Sequence, residues 1–241
     1  MTGMQTGPYQ AFAREKMGFE YENLDLLITA LTHRSYVNEH KKSVSAHNER
    51  LEFLGDAVLE LVVTDYLFNT FKESEGILTS WRAALVRTES IGEAGDKLGY
   101  ESLVRMSRGE KNGSNRARMQ ILANAFEAVI GSIYLERGYD DASVFIHKHI
   151  ISKLETIVSE GTWRDPKSHL QEVSQRMDGA TPLYRVMEEV GPDHDKVFTV
   201  GAYVNGKLMG QGAGPSKQNA QQLAARAALD TYAAHEQPAT D

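Results

Sequence analysis

The segment HNERLEFLGDAVLE, residues 47–60, decides the fold of the first half of the chain. Apolar residues recur in it at spacings of three and four, which predicts a helix over His47–Phe71. On such a helix Glu49, Glu52 and Asp56 share one face. Like charges at this spacing destabilise a helix unless a cation offsets them, and oxygen ligands suit Mg²⁺. The segment therefore indicates either a solvated acidic face or a magnesium site.

A second apolar segment, ILANAFEAVIG at residues 121–131, predicts another helix and favours the metal site. It is nearly free of charge, yet Asn124 and Glu127 fall on one of its faces. A carboxylate in so apolar a helix is costly unless it is paired or bound to metal. If the two helices are antiparallel neighbours, their oxygen-bearing side chains form one cluster. Its members are Glu52, Asp56, Asn124 and Glu127.

The first part of the chain, residues 1–158, is predicted to be an all-α domain. Apolar residues recur with helical spacing over Leu24–Leu31, His47–Phe71, Ile91–Leu98, Ile121–Leu135 and Ala142–Val158. Gly55 lies inside the second of these segments. It predicts close approach of another helix, from the same chain or across a subunit contact.

Residues 159–164 are predicted to be a linker, and residues 165–235 a small α+β domain. The pattern predicts a helix, three strands and a helix, at Ser168–Met177, Leu183–Met187, Lys196–Val204, Lys207–Gln211 and Lys217–Ala234. Asn205-Gly206, between the last two strands, is typical of a hairpin turn. The sequence thus predicts a multidomain protein, an all-α domain followed by an α-β-β-β-α domain.

The composition of the 241-residue chain excludes several classes of protein. With no Cys there is no disulfide framework, thiolate zinc site or cysteine nucleophile, which is compatible with a reducing cytosol. Apolar runs stay well below the roughly 20 residues that span a bilayer, so we expect a cytoplasmic protein with no membrane partner. The net charge of −7 argues against a uniformly basic protein that coats nucleic acid. Residues 196–229, however, contain four basic residues and no acidic one.

The acidic segment and its surroundings resemble the ribonuclease III family of bacterial type. The similarity covers NERLEFLGDAVL at residues 48–59, ALTHRSY at 30–36, Glu75-Gly76, WRAALVR at 81–87, and ILANAFEAVIG with Tyr134-Leu135. It implies an Mg²⁺-dependent endonuclease that cuts double-stranded RNA, with Mn²⁺ as a substitute ion. It also implies a homodimer whose two active centres each cut one strand, which leaves 5′-phosphate and 3′-hydroxyl ends with short 3′ overhangs. Precursors of ribosomal RNA and other structured transcripts are the expected substrates.

The resemblance implies roles for individual residues. Asp56 and Glu127 match the positions most closely tied to catalysis, and Glu52 matches a third essential acid. Glu49 and Glu75 match acidic positions linked to substrate handling and the subunit contact. The expected metal ligands are Glu52, Asp56, Asn124 and Glu127.

Asn124 departs from the family pattern, which usually has Asp at this position. Its amide oxygen can coordinate a hard cation but brings no negative charge, so we expect retained activity with a higher metal requirement. A competing interpretation is a double-stranded RNA binder that keeps the fold and has lost efficient cleavage. A third, a helical phosphohydrolase for small phosphate esters, leaves the C-terminal domain without a role.

Residues 165–235 resemble a double-stranded RNA-binding domain, which reads A-form shape across two minor grooves. The similarity covers DPKSHLQE at 165–172, GPDH at 191–194 and GAGPSKQNAQQ at 212–222. It implies contacts with 2′-hydroxyls and phosphates from Gln171, Glu172, His194, Ser216, Lys217 and Gln218. Such domains usually have further basic residues at Gln218 and Gln221, so we expect weaker binding with a shallower salt dependence. A protein-interaction domain of the same fold is the alternative.

Overall fold

The computed structural model of the chain describes residues 7–192 and 196–236, which fall into two compact units. The first unit ends at Trp163 and the second begins at Arg164. Over the described residues, every helix is too short or too polar to span a lipid bilayer.

The first unit is built from helices, which confirms the all-α prediction. In the described part of the chain they are α1 (Gly7–Phe12), α2 (Leu24–Ala30), α3 (Arg34–Glu39), α4 (Glu49–Thr70), α5 (Glu75–Val86), α6 (Thr88–Leu98), α7 (Arg108–Lys111), α8 (Asn115–Arg137), α9 (Tyr139–His149) and α10 (Leu154–Ser159). A π-helical turn, Ala13–Met17, follows α1, and 3-10 turns lie at Tyr100–Ser102 and Ile151–Lys153.

The segment Ala142–Val158, which has helical periodicity, forms the end of α9, a 3-10 turn and α10 rather than one continuous helix. Ile150 and Ile151 are adjacent in the break between α9 and α10, and both are buried. The turn Ile151–Lys153 in this break is 3-10 rather than α-helical.

The central helix of the first unit is α8, which packs against α2, α4, α6 and α9. The hydroxyl of Ser114 caps its start by accepting a hydrogen bond from the backbone N–H of Ala117 at 3.2 Å. Phe126 and Ile130 are fully buried within it. Because neighbours surround it, the middle of α8 is almost free of charge.

Helices α4 and α8 run antiparallel with their backbones in contact. A Cβ atom on Gly55 would lie 1.7 Å from the carbonyl oxygen of Glu127, and one on Gly131 would lie 2.3 Å from the carbonyl oxygen of Leu51. Only glycine fits at both positions. The helix that approaches Gly55 therefore belongs to the same chain.

The second unit has the predicted α-β-β-β-α order. Its elements are α11 (Pro166–Asp178), β1 (Leu183–Val190), β2 (Val197–Val204), β3 (Lys207–Gly214) and α12 (Lys217–Glu236). The strands form an antiparallel sheet in the order β1-β2-β3. Strands β1 and β3 extend beyond the predicted ends because the acidic pair Glu188-Glu189 and the glycines of β3 still pair with β2.

Two glycine features shape this sheet. Asn205 and Gly206 have φ angles of 50° and 78°, which confirms the two-residue hairpin turn between β2 and β3. On β3, a Cβ atom on Gly212 would lie 2.4 Å from the backbone nitrogen of Ala224. The buried alanines of α12 therefore pack directly on the strand backbone.

Candidate active site and RNA-binding surface

The contact between α4 and α8 brings acidic side chains of the two helices close together. The carbonyl group that touches Gly55 belongs to Glu127, and Asp56 follows Gly55 along α4. Glu52 lies one turn before Asp56 on the same helix. Glu52 and Glu127 are partly buried, whereas Asp56 is exposed. We call these three residues the acidic cluster.

The electrostatics of the acidic cluster reflect burial and mutual repulsion. The pKa of the Glu127 carboxyl is raised to about 8, first by burial and then by the charge of Asp56. Glu52 and Glu60 raise the pKa of Glu127 further. The pKa of Glu52 is itself raised by burial, then by Glu49 and Asp56. Within the described residues, no Lys, Arg or His forms an ion pair with the acidic cluster.

Uncompensated carboxylates of this kind are suitable ligands for a hard divalent cation. Among residues 7–192 and 196–236, no three His, Asp or Glu side chains are arranged as a finished metal site. Side-chain rotation about staggered torsions would be needed to bring the oxygens to one point. The donor set fits Mg²⁺ or Mn²⁺, and the four-oxygen cluster stays a prediction.

Asn124 lies on α8, one turn before Glu127, and is partly buried. Its Oδ1 accepts a hydrogen bond from Nε2 of Gln120 at 2.7 Å. The amide is uncharged, so it can supply an oxygen without adding to the repulsion in the acidic cluster.

Glu49 and Glu75 are the first residues of α4 and α5. Glu49 borders the acidic cluster, because its charge contributes to the raised pKa of Glu52. Oε1 of Glu49 lies 3.5 Å from Nη1 of Arg34. Oε1 of Glu75 accepts a hydrogen bond from the hydroxyl of Thr79 at 3.1 Å. Both carboxylates are exposed.

Helix α4 exposes large apolar side chains. Phe53 is 81% exposed, Leu61 57% and Phe68 70%. Beside Phe53 lies a groove of about 960 Å³, with Leu26 and Leu135 in its lining. Uncovered apolar patches on a protein surface mark contacts with other molecules.

The residues predicted to contact RNA lie on the surface of the second unit, with one outside the described residues. The exposed ones are Gln171, Glu172, Ser216, Lys217 and Gln218. His194 lies outside the described residues. Gln171 and Glu172 are on α11. Ser216, Lys217 and Gln218 are at the start of α12. Two helix surfaces of this unit therefore present polar groups.

The start of α12 is a helix N-terminus, whose dipole favours negative charge, and it is capped by Ser216. Oγ of Ser216 accepts a hydrogen bond from the backbone N–H of Asn219 at 3.1 Å. Nζ of Lys217 lies 3.0 Å from Oε1 of Glu189 and 5.4 Å from the ring centre of Phe198. An incoming phosphate must therefore compete with Glu189 for this ammonium group.

A basic segment before and within the start of α8 was missed in the sequence analysis. Residues 105–118 contain five basic residues, Arg105, Arg108, Lys111, Arg116 and Arg118, and one acidic residue, Glu110. Arg108, Lys111 and Arg116 are exposed. The excess of basic residues in this segment was the signal available in the sequence. The segment is of interest because it precedes and begins the helix that carries Glu127.

Known proteins share both parts of this arrangement. Residues 23–154 match the family described as Ribonuclease-III-like, and residues 166–232 match the double-stranded RNA binding motif. The chain is 44% identical to ribonuclease 3 of Carboxydothermus hydrogenoformans over 215 residues, which are 89% of this chain and 92% of that protein. It is also 44% identical to ribonuclease 3 of Geobacillus kaustophilus over 228 residues, 93% of this chain and 91% of that protein.

A solved structure supports the same assignment. The nuclease domain of ribonuclease III from Campylobacter jejuni is 42% identical, with a TM-score of 0.51 over 57% of this chain and 96% of that one. That structure is described by its flexibility in a region involved in dimer formation. The matches define a two-domain protein in which a ribonuclease-III-like domain precedes a double-stranded RNA binding motif. The chain belongs to the ribonuclease III family.

Proposed function

We propose that the protein is an endoribonuclease that hydrolyses phosphodiester bonds in double-stranded RNA with a divalent metal ion. The observation that carries the proposal is the backbone contact of α4 with α8, which brings the carboxyl groups of Glu52, Asp56 and Glu127 near one another. It means that acidic side chains are held together at a cost, and carboxylates alone would repel an RNA phosphate. A cation between them removes both difficulties.

Glu52, Asp56 and Glu127 would hold this ion, with the amide oxygen of Asn124 as a neutral ligand. The proposed ion is Mg²⁺, with Mn²⁺ as a substitute. When bound, such an ion lowers the pKa of a coordinated water and neutralises charge on the phosphate. Ligands must be deprotonated, so Glu127 has to release its proton as the ion binds. Asp56 is exposed and, with Glu127, would contact the reacting groups.

The apolar face of α4 supports a homodimer. Phe53, Leu61 and Phe68 would be covered by a second copy of the chain. Two acidic clusters would then act on one duplex and cut one strand each, giving 5′-phosphate and 3′-hydroxyl ends with short 3′ overhangs. Glu49 and Glu75 would serve substrate handling and the subunit contact. We expect Phe53→Ser to sediment as a monomer, and a stable dimer of this variant would contradict the assignment.

The second unit would bind the duplex by its A-form shape. Its proposed contacts are Gln171, Glu172, His194, Ser216, Lys217 and Gln218. The exposed basic residues of segment 105–118 would add phosphate contacts within the first unit. The contacts from Lys217 and from the basic segment would neutralise phosphates, so binding should weaken with rising salt.

One experiment separates cleavage from the alternative, a non-cleaving RNA binder. The alternative is favoured by Asn124, whose uncharged oxygen already accepts a hydrogen bond from Gln120. Long duplex RNA is incubated with the protein and with Asn124→Asp, each with and without Mg²⁺. Mg²⁺-dependent shortening by the unmodified protein eliminates the alternative. Shortening by Asn124→Asp alone would overturn the proposed enzyme.

We further propose that the protein matures ribosomal RNA precursors and other structured transcripts in the cytoplasm. Two observations support this proposal. The chain belongs to the ribonuclease III family, and it contains no Cys, which is compatible with a reducing compartment. Depletion of the protein should cause uncut ribosomal precursors to accumulate, as measured by RNA blotting. Normal precursor levels after depletion would contradict this role.

A further inference from the structure

A lysine on the first helix of the second unit contacts both the last helix and the sheet. Nζ of Lys167 on α11 donates a hydrogen bond to Oε1 of Gln221 on α12 at 2.8 Å, and it lies 5.0 Å from the ring centre of Tyr184 on β1. We propose that Lys167 is a further phosphate contact of the second unit. The inference rests on the proposed binding of duplex RNA by this unit.

Lys167 lies between the two helix surfaces that are proposed to contact RNA. Lys167 and Gln171 are four residues apart on α11, so they are neighbours on one face of that helix. They also line the same cavity, which has a volume of about 290 Å³. Gln221 and Lys217 are neighbours on α12 in the same way. A duplex that contacts both Gln171 and Lys217 would therefore pass close to Lys167.

The charge of Lys167 is available to a phosphate. In the part of the chain that the structure describes, no carboxylate forms an ion pair with Lys167, whereas Lys217 lies 3.0 Å from Glu189. Asp165 lines the same cavity as Lys167, but its carboxylate accepts hydrogen bonds from uncharged donors of α11 and α12. An ammonium group has three donors, and the bond to Gln221 uses one of them.

The two contacts of Lys167 also hold its ammonium group in place. A free lysine side chain loses much rotamer entropy when a ligand fixes it. The ring of Tyr184 and the amide of Gln221 restrict this side chain before RNA binds, which lowers that entropy cost. A second ammonium group at position 221 would repel the first. The positive charge at this place therefore comes from α11, and the uncharged Gln221 allows it to lie there.

The test measures binding of the full-length protein to duplex RNA by filter binding over a range of salt concentrations, without Mg²⁺. Lys167→Met keeps a flexible, unbranched side chain and removes the charge. One phosphate contact contributes about 0.9 to the slope of log affinity against log salt, so the slope should decrease by about one and affinity at about 0.15 M salt should fall about fivefold. Lys207→Met, at an exposed lysine at the opposite end of β3 from α12, is the control and should leave the slope unchanged.

Gln221→Met separates a phosphate contact from a bond that only joins α11 to α12. It removes the same hydrogen bond but leaves the ammonium group of Lys167, so we expect the salt slope to be retained. Adding Gln221→Lys to Lys167→Met returns a charge within hydrogen-bond reach of the lost one and should restore the slope. An unchanged slope in Lys167→Met, an equal loss of slope in Gln221→Met, or no recovery in the double variant would overturn the proposal.

The same measurements separate this proposal from the proposed RNA binding on which it rests. If the unmodified protein shows no salt-dependent binding of duplex RNA, the proposed role of the second unit fails. If the unmodified protein binds and Lys167→Met binds with the same affinity and slope, only the role of Lys167 fails.

Discussion

The two units of the chain each contain a backbone contact that only glycine permits, and the contacts have different neighbours. In the first unit, Gly55 and Gly131 bring the backbones of α4 and α8 together beside Asp56 and Glu127. In the second, Gly212 brings β3 onto the alanines of α12. The first contact concentrates negative charge. The second buries small apolar side chains.

This difference separates packing that serves chemistry from packing that serves stability. Burial first, and then the charges of Asp56 and Glu52, raise the pKa of Glu127 and oppose folding at neutral pH. The close approach of α4 and α8 therefore has a cost that a cation would offset. The contact of β3 with α12 has no such cost, and it leaves the polar start of α12 exposed for a ligand. A close backbone contact at a glycine therefore indicates a functional site only when functional side chains lie beside it.

Gly55→Ala should break the first contact and have the largest effect. The new Cβ atom would lie 1.7 Å from the Glu127 carbonyl oxygen, so the helices must separate. We expect a loss of about 3 kcal/mol or more of stability. A domain of this size loses about 2–4 °C of Tm per kcal/mol, so thermal unfolding should show a fall of at least about 6 °C. Cleavage should be lost. Gly76→Ala, whose Cβ position is open, is the control.

Glu127→Gln keeps the contact and removes the ionisable carboxyl group. Cleavage of duplex RNA should fall by at least about 100-fold, more than the loss of an outer partner causes. The stability of the metal-free protein at pH 8, by contrast, should increase. The pKa of Glu127 lies at about 8 in the folded chain against an ordinary value of 4.5, so its contribution to stability is present below pH 4.5 and is lost as pH rises to 8.

The unmodified metal-free protein should therefore lose Tm between pH 4.5 and pH 8, and Glu127→Gln should lose less. At pH 8 we expect the variant to unfold about 2–4 °C higher, as measured by circular dichroism. Glu155→Gln, an exposed acid on α10, is the matched charge control. Identical pH profiles for Glu127→Gln and the unmodified protein would show that Glu127 is not under electrostatic strain.

Gly212→Ala should break the second contact alone. Its Cβ atom would lie 2.4 Å from the backbone nitrogen of Ala224, which forces α12 away from the sheet. We expect duplex RNA affinity to fall by about 10- to 100-fold at ordinary salt, while cleavage at low salt persists. Filter binding and a cleavage time course measure the two effects. Ala213→Ser, at the exposed neighbouring residue on β3, is the control and should change neither RNA affinity nor cleavage. Loss of low-salt cleavage in Gly212→Ala would contradict the prediction that this contact serves RNA binding and not catalysis.

The sequence predicts the parts of the fold that depend on local periodicity. The helices that carry Glu52 and Glu127, and the turn at Asn205-Gly206, follow from spacing and turn chemistry alone. The break between α9 and α10 does not, because the helical spacing of apolar residues continues across it from Ala142 to Val158.

For the candidate site, the sequence identifies residue types but not their environment. The apolar surroundings of Glu127 indicate that its carboxyl needs a partner, yet its raised pKa depends first on how deeply the fold buries it and then on how closely α8 approaches Asp56. Gly55 indicates a close contact without naming its partner. The bond between Gln120 and Asn124 lies at an ordinary helical spacing that many exposed residues share, so it needs coordinates to be recognised.

Substitutions of Lys217 and Glu189 should have the smallest effect on RNA binding, and they test one specific contact of the second unit. Lys217→Gln removes one proposed phosphate contact, so RNA affinity should fall a few-fold, and the slope of log affinity against log salt should decrease by about one. Glu189→Gln should act in reverse, because the Lys217 ammonium no longer has a carboxylate 3.0 Å away. An exposed ion pair is worth about 0.2–1 kcal/mol, so we expect RNA binding to strengthen by about twofold.

Glu188→Gln is the matched control for this last effect, since it makes the same charge change one residue away on β1. If the gain comes from releasing Lys217, Glu188→Gln should leave affinity close to that of the unmodified protein. The gain in RNA affinity from Glu189→Gln should also disappear when Glu189→Gln is combined with Lys217→Gln. Equal gains from Glu188→Gln and Glu189→Gln would instead mean that net charge governs binding, and the start of α12 would lose its assigned role as the phosphate contact.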